Sequence, residues 1–76
     1  MLYHGRIEID PAVCSGKPVI RGTRILVTSI LSQLVAGESF DAILKGFPGL
    51  TDYDIKAAIE FARESVEATE LTALRD

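Results

Sequence analysis

The sequence predicts a mainly α domain: a β-rich arm over residues 7–27 followed by three short helices over residues 28–70. Three observations predict it. Apolar residues alternate with polar ones before position 28 and recur at helical spacing after it. Helix-capping residues precede each later apolar run. Gly37, Gly46 and the Pro48-Gly49 pair stand where those runs must stop.

Ile7-Glu8-Ile9-Asp10 alternates apolar and polar as a strand does, and Pro11 ends it. As the first strand read, Ile7–Ile9 is expected to be an exposed edge, open to pairing with another chain. Pro11 to Cys14 can complete one helical turn before Gly16. The run Cys14-Ser15-Gly16-Lys17-Pro18-Val19-Ile20-Arg21-Gly22-Thr23-Arg24-Ile25 then packs two glycines, one proline and three cations into twelve positions. Val19-Ile20 and Ile25-Leu26-Val27 are rich in β-branched residues and straddle Arg21-Gly22-Thr23-Arg24. That pattern predicts a tight hairpin whose tip carries Arg21 and Arg24, with Gly22 at positive φ.

Thr28 or Ser29 can cap a helix through Ile30–Ala36 with Ile30, Leu31, Leu34 and Val35 as its apolar stripe. Ser39 caps a second, Phe40–Lys45, with Asp41 in its first turn, where a negative charge suits the helix dipole. Thr51 and Asp54 approximate a capping box for a third helix, which frays somewhere between Val66 and Leu74. Ile55, Ala58, Ile59, Ala62 and Val66 are expected to face the core, leaving Phe61 off that stripe as a possible dimer seam. The link Gly46–Leu50 has the length of a helix-turn-helix joint, plugged by Phe47 and Leu50. The expected shared core is Ile30, Leu34, Phe40, Ile43, Leu44, Leu50, Ile55 and Ile59.

Seventy-six residues, 47% hydrophobic and 25% charged, suit one folded domain spanning 1–76 and leave no room for a second core. So small a domain leans on a partner or on self-association, so a homodimer is expected. Cys14 is the single cysteine, which excludes an internal disulfide and suits a reducing compartment. With no signal-peptide pattern and no run near the roughly 20 apolar residues of a membrane span, a cytoplasmic protein is expected. Charge divides unevenly: residues 1–26 carry a net +2 and residues 27–76 a net −5. A basic head on an acidic body points to two surfaces with different partners.

Several chemistries fail on their residue requirements. One His and one Cys, ten positions apart, make no metal-ligand set, so neither metal nor cofactor is expected. Gly16-Lys17 resembles a fragment of a phosphate loop, but the loop's first glycine is missing, Pro18 removes a backbone donor, and no helix starts there. No base is paired with a nucleophile in any readable way, so an enzyme is not expected. His4 reads as an unengaged residue near the chain start. In a helix-turn-helix reader the first turn of the second motif helix enters the major groove. Here that turn carries Asp52 and Asp54, which phosphates repel. If DNA is bound, Lys17, Arg21 and Arg24 are the better candidates. The acidic face Glu60, Glu64 and Glu67 is the next candidate surface for a protein partner.

These strings also carry a resemblance. Ile7-Glu-Ile-Asp-Pro11, Gly16-Lys-Pro-Val-Ile-Arg-Gly-Thr-Arg-Ile25, Leu34-Val-Ala-Gly-Glu-Ser39, Phe47-Pro48 and Asp54-Ile-Lys-Ala-Ala-Ile59 resemble the "domain of unknown function 433" family over roughly residues 7–62. Leu26 stands where that family usually has Pro. The resemblance implies a homeodomain-like or winged-helix-like three-helix fold with a β-rich arm. It further implies the antitoxin half of a type II toxin–antitoxin module, whose partner is a PIN-like toxin, a nuclease holding a divalent metal among carboxylates. Such antitoxins commonly repress their own operon, so operator DNA is a second expected partner. The expected partner- or DNA-binding residues are Lys17, Arg21, Gly22, Thr23 and Arg24, an assignment read from the turn rather than from the family. A stand-alone DNA-binding regulator and a self-associating structural module are the alternatives.

Overall fold

The computed structural model describes residues 1–69. Three two-residue strands, β1 (Leu2–Tyr3), β2 (Ile7–Glu8) and β3 (Val19–Ile20), precede three helices, α1 (Val27–Val35), α2 (Phe40–Gly46) and α3 (Asp52–Glu67). The strands form one antiparallel sheet in the order β1-β2-β3, with Tyr3 opposite Ile7 and Ile7 opposite Ile20. The protein is therefore a mainly α domain with a small sheet at its N-terminal end.

The sheet overturns the expectation of an open edge at Ile7–Ile9. β2 is the central strand, Ile7 is fully buried, and Ile9 exchanges hydrogen bonds of 2.9 Å with Met1 on both sides. The missing element was β1. Its turn places His4 and Gly5 at φ 53° and 68°, the positive pair that joins short antiparallel strands compactly. Beyond β2, the Val13 amide closes a turn on the Asp10 carbonyl at 2.8 Å, and Cys14, Ser15 and Gly16 then adopt φ of 49°, 58° and 84° in a left-handed turn.

Each helix starts for a local reason. Ser39 Oγ accepts the Ala42 amide at 3.1 Å and caps α2. Thr51 and Asp54 form both arms of a capping box on α3: the Asp54 amide donates to Thr51 Oγ1 at 3.2 Å, and the Thr51 amide donates to Asp54 Oδ2 at 3.0 Å. α1 differs from expectation. It begins at Val27, one residue before the expected caps, and Leu26 at its N-cap supplies no side-chain bond. Leu26 still bridges to Val19, and the carbonyl of Pro18 accepts the Val27 amide at 3.0 Å. The arm's backbone thus satisfies the first amide donor of α1.

The core gathers Ile7 and Ile20 from the sheet, Val27 and Ile30 from α1, Ile43 from α2, Leu50 from the joint, and Ile55, Ala57 and Ala58 from α3. Leu34, Phe40, Leu44 and Phe47 pack against it half-buried. Ile59, expected inside, is 39% exposed, and Val35 and Val66 stand in water at 89% and 74%. α3 is rotated so that Ala57, Ala58 and Phe61 face inward. The cause is β1: Tyr3 meets Phe61 edge-on with ring centroids 5.1 Å apart. Phe61 therefore has a partner within the chain, and the two half-buried rings line a shallow groove between β1 and α3. α3 ends at Glu67, inside the expected range; the part of that range beyond residue 69 lies outside the described residues. Among the described residues, no helix is long and apolar enough to cross a membrane.

Candidate functional site

The predicted tip is a four-residue turn, Ile20–Thr23, closed by the Thr23 amide on the Ile20 carbonyl at 3.0 Å. Gly22 holds its third position at φ 77°, the positive angle that a type II turn requires there. Thr23 braces the turn twice more. Its hydroxyl donates to the Ile20 carbonyl at 2.7 Å and accepts the Ile25 amide at 3.0 Å. The Ile20 amide donates across the base to Ile25 at 3.0 Å, and the Arg21 amide to the carbonyl of Arg6 at 2.7 Å. The amides of Ile20, Arg21, Thr23 and Ile25 are all bonded within the fold, so the turn is fixed before any ligand arrives.

On this frame Arg21 and Arg24 are exposed, Gly22 is exposed, and Thr23 is half-buried beneath them. Arg21, Gly22 and Thr23 lie in this turn, and Arg24 follows directly after it. Lys17 does not join them: it precedes Pro18 at the other end of β3, about 13 Å from Arg21 along an extended chain. Among the described residues, none of Lys17, Arg21 and Arg24 forms an ion pair.

Among the described residues, the other arginines, Arg6 and Arg63, are engaged within the fold. Arg6 Nε donates to Asp54 Oδ1 at 2.5 Å, and Asp54 is 1% exposed. Burial by itself pushes the Asp54 carboxyl up. The Arg6 guanidinium and the bonds from Thr51 outweigh it and hold the group below the usual carboxylate range. The same hydrogen bond raises Arg6 above its ordinary value. Arg63 pairs with Glu60 and Glu67 on the exposed face of α3, so the acidic C-terminal surface is partly neutralised by its own helix.

His4, expected to be unengaged, is held at two points. His4 Nε2 lies 2.8 Å from Glu64 Oε1, and Tyr53 donates its hydroxyl to the His4 carbonyl at 2.8 Å. The signal for this was His4-Gly5 between Leu2-Tyr3 and Ile7, a hairpin pattern that places His4 against whatever covers the sheet. Between Tyr53, His4 and Lys56 lies a shallow cleft of about 210 Å³.

The profile of a family described as "Protein of unknown function (DUF433)" matches residues 7–62. An uncharacterized protein of Sinorhizobium fredii, y4eO, is 35% identical over 56 residues, 74% of this chain. The chain spans only 25% of that curated relative's length. The crystal structure of a DUF433 member protein from Anabaena variabilis superimposes with a TM-score of 0.77 at 34% identity, covering 84% of this chain and 63% of the other. Shared sequence over most of the chain and shared geometry over the same core agree: this chain belongs to the DUF433 family.

Proposed function

We propose that this chain is a binding protein of the antitoxin kind, which inhibits a PIN-like nuclease by presenting Arg21 and Arg24 to the carboxylates of its metal site. The observation that supports the reading is a braced turn carrying two exposed guanidiniums, each outside every ion pair among the described residues. A guanidinium matches a carboxylate with two parallel hydrogen bonds, and a fixed turn loses little entropy on docking. Arginines placed among those carboxylates compete with the divalent metal and with the RNA phosphate.

The test is co-purification with the adjacent gene product, followed by an RNA-cleavage assay of that product with and without this chain. Replacing both arginines by Ala weakens binding by about 2–5 kcal/mol if they enter a desolvated carboxylate site. A double variant that neutralises the nuclease as well as the parent overturns the reading, and the Glu60–Glu67 face becomes the candidate.

One observation favours a second reading, operator DNA. Asp54 is buried and paired with Arg6, so the first turn of α3 shows less negative charge than its sequence carries. In this reading a dimer sets the half-site spacing, and Lys17, Arg21 and Arg24 neutralise phosphates. A salt series separates the two: each phosphate contact adds about −0.9 to the slope of log K against log salt. Light scattering at micromolar chain reports whether a homodimer is present.

A further inference from the structure

Arg6 is held from two directions. Its side chain donates to Asp54 Oδ1 at 2.5 Å, and its carbonyl accepts the Arg21 amide at 2.7 Å. The Asp54 carboxylate is itself immobilised, since its other oxygen accepts the Thr51 amide in the capping box of α3 and the group is almost wholly buried. A continuous set of bonds therefore runs from Thr51 through Asp54 and Arg6 to the amide of Arg21. On the other side of Arg6 its amide donates to the Tyr3 carbonyl at 3.0 Å, closing the His4-Gly5 turn.

We propose that Arg6 is a positioning residue: its grip on Asp54 sets the carbonyl that aims the arginine turn. The first turn of α3 thereby dictates how Arg21 and Arg24 are presented. The bond from the Arg21 amide is the last rung of the ladder that pairs Ile7 with Ile20, and the base of the turn is held besides by the Glu8–Val19 pairing and by the Ile20–Ile25 bond. Arg21 is the first residue beyond that base, and its backbone amide has Arg6 as its acceptor. Losing the tie leaves the sheet standing and loosens the turn where Arg21 departs from it. The functional consequence rests on the reading of Arg21 and Arg24 as binding groups.

The test is amide hydrogen exchange by NMR on the 76-residue chain. Arg6→Leu with Asp54→Asn removes both charges, so no ion is left stranded in the core. Arg6→Lys is the milder variant, keeping charge and losing the planar fork. Ile43→Val, at a buried position on α2 outside this set of bonds, is the control for general loss of stability. Exchange at the Arg21 amide is expected to quicken about tenfold relative to that at Leu34 in the Arg6 variants, matching the loss of one hydrogen bond. The ratio should stay at the parent value in Ile43→Val. An unchanged ratio in both Arg6 variants, or an equal rise in the control, overturns the proposal. Nuclease binding by Arg21→Ala/Arg24→Ala distinguishes the two ideas. Undiminished binding there refutes the role of the turn and leaves the exchange result to decide the positioning alone.

Discussion

Two of the tight turns at the sheet differ in what surrounds them. His4-Gly5 and Arg21-Gly22 each place a glycine at positive φ, 68° and 77°. The first is tied to α3 at three points, through Tyr53 to the His4 carbonyl, through the His4 ring to Glu64, and through neighbouring Arg6 to Asp54. The second is braced by Thr23 and by the backbone of β2, with no side chain of a helix bonded to its arginines among the described residues. The cation of the first turn is therefore part of the fold's own electrostatics, while those of the second remain hydrated and available. Residue type does not separate Arg6 from Arg21; a buried carboxylate does.

Removing the structural cation is the most damaging way to probe this contrast. Arg6→Ala strands Asp54 without its counter-ion at 1% exposure and is expected to cost about 3–5 kcal/mol by denaturant unfolding. A loss below about 1 kcal/mol would erase the distinction between the two turns. Acid sharpens the same point. Asp54 titrates lower in the fold than its ordinary 3.8, so its share of stability is present above that value. That share is lost as pH falls through the lowered folded value. In Asp54→Asn this acid-dependent component should disappear from a stability–pH curve, while the components of other carboxylates persist.

Gly22→Ala ranks next. Nothing lies within 4 Å of the added Cβ, so the cost is the strain of positive φ alone, about 1–2 kcal/mol. Gly5→Ala should match it, since its surroundings are equally open. Unequal thermal shifts for the pair would mean that the ties to α3 add strain that φ does not reveal. The smallest effect belongs to Arg21→Ala with Arg24→Ala, expected within about 0.5 kcal/mol of the parent because exposed, unpaired cations support little. A larger loss would place these arginines in the fold's framework alongside Arg6.

Much of this was legible along the chain because its causes are local. The helix starts at Ser39 and Thr51 follow from side chains that reach their own backbone three residues on. The turn at Gly22 follows from the one residue type that takes positive φ without strain. The exposed arginines followed too, since a tight turn between apolar runs leaves its tip in water. What tertiary structure alone decided concerns partners distant in sequence. Arg6 and Asp54 are 48 positions apart, and His4 and Glu64 are 60 apart. The rotation of α3 belongs with them. Ile59 and Phe61 both lie on plausible helical stripes, and the periodicity of one helix does not say which stripe a neighbour will cover. Tyr3, from a strand of two residues, covers Phe61 and leaves Ile59 at the surface. Short-range hydrogen bonding and backbone sterics are written in adjacent residues; which face is buried, and which charge is neutralised, depends on what the rest of the chain brings alongside.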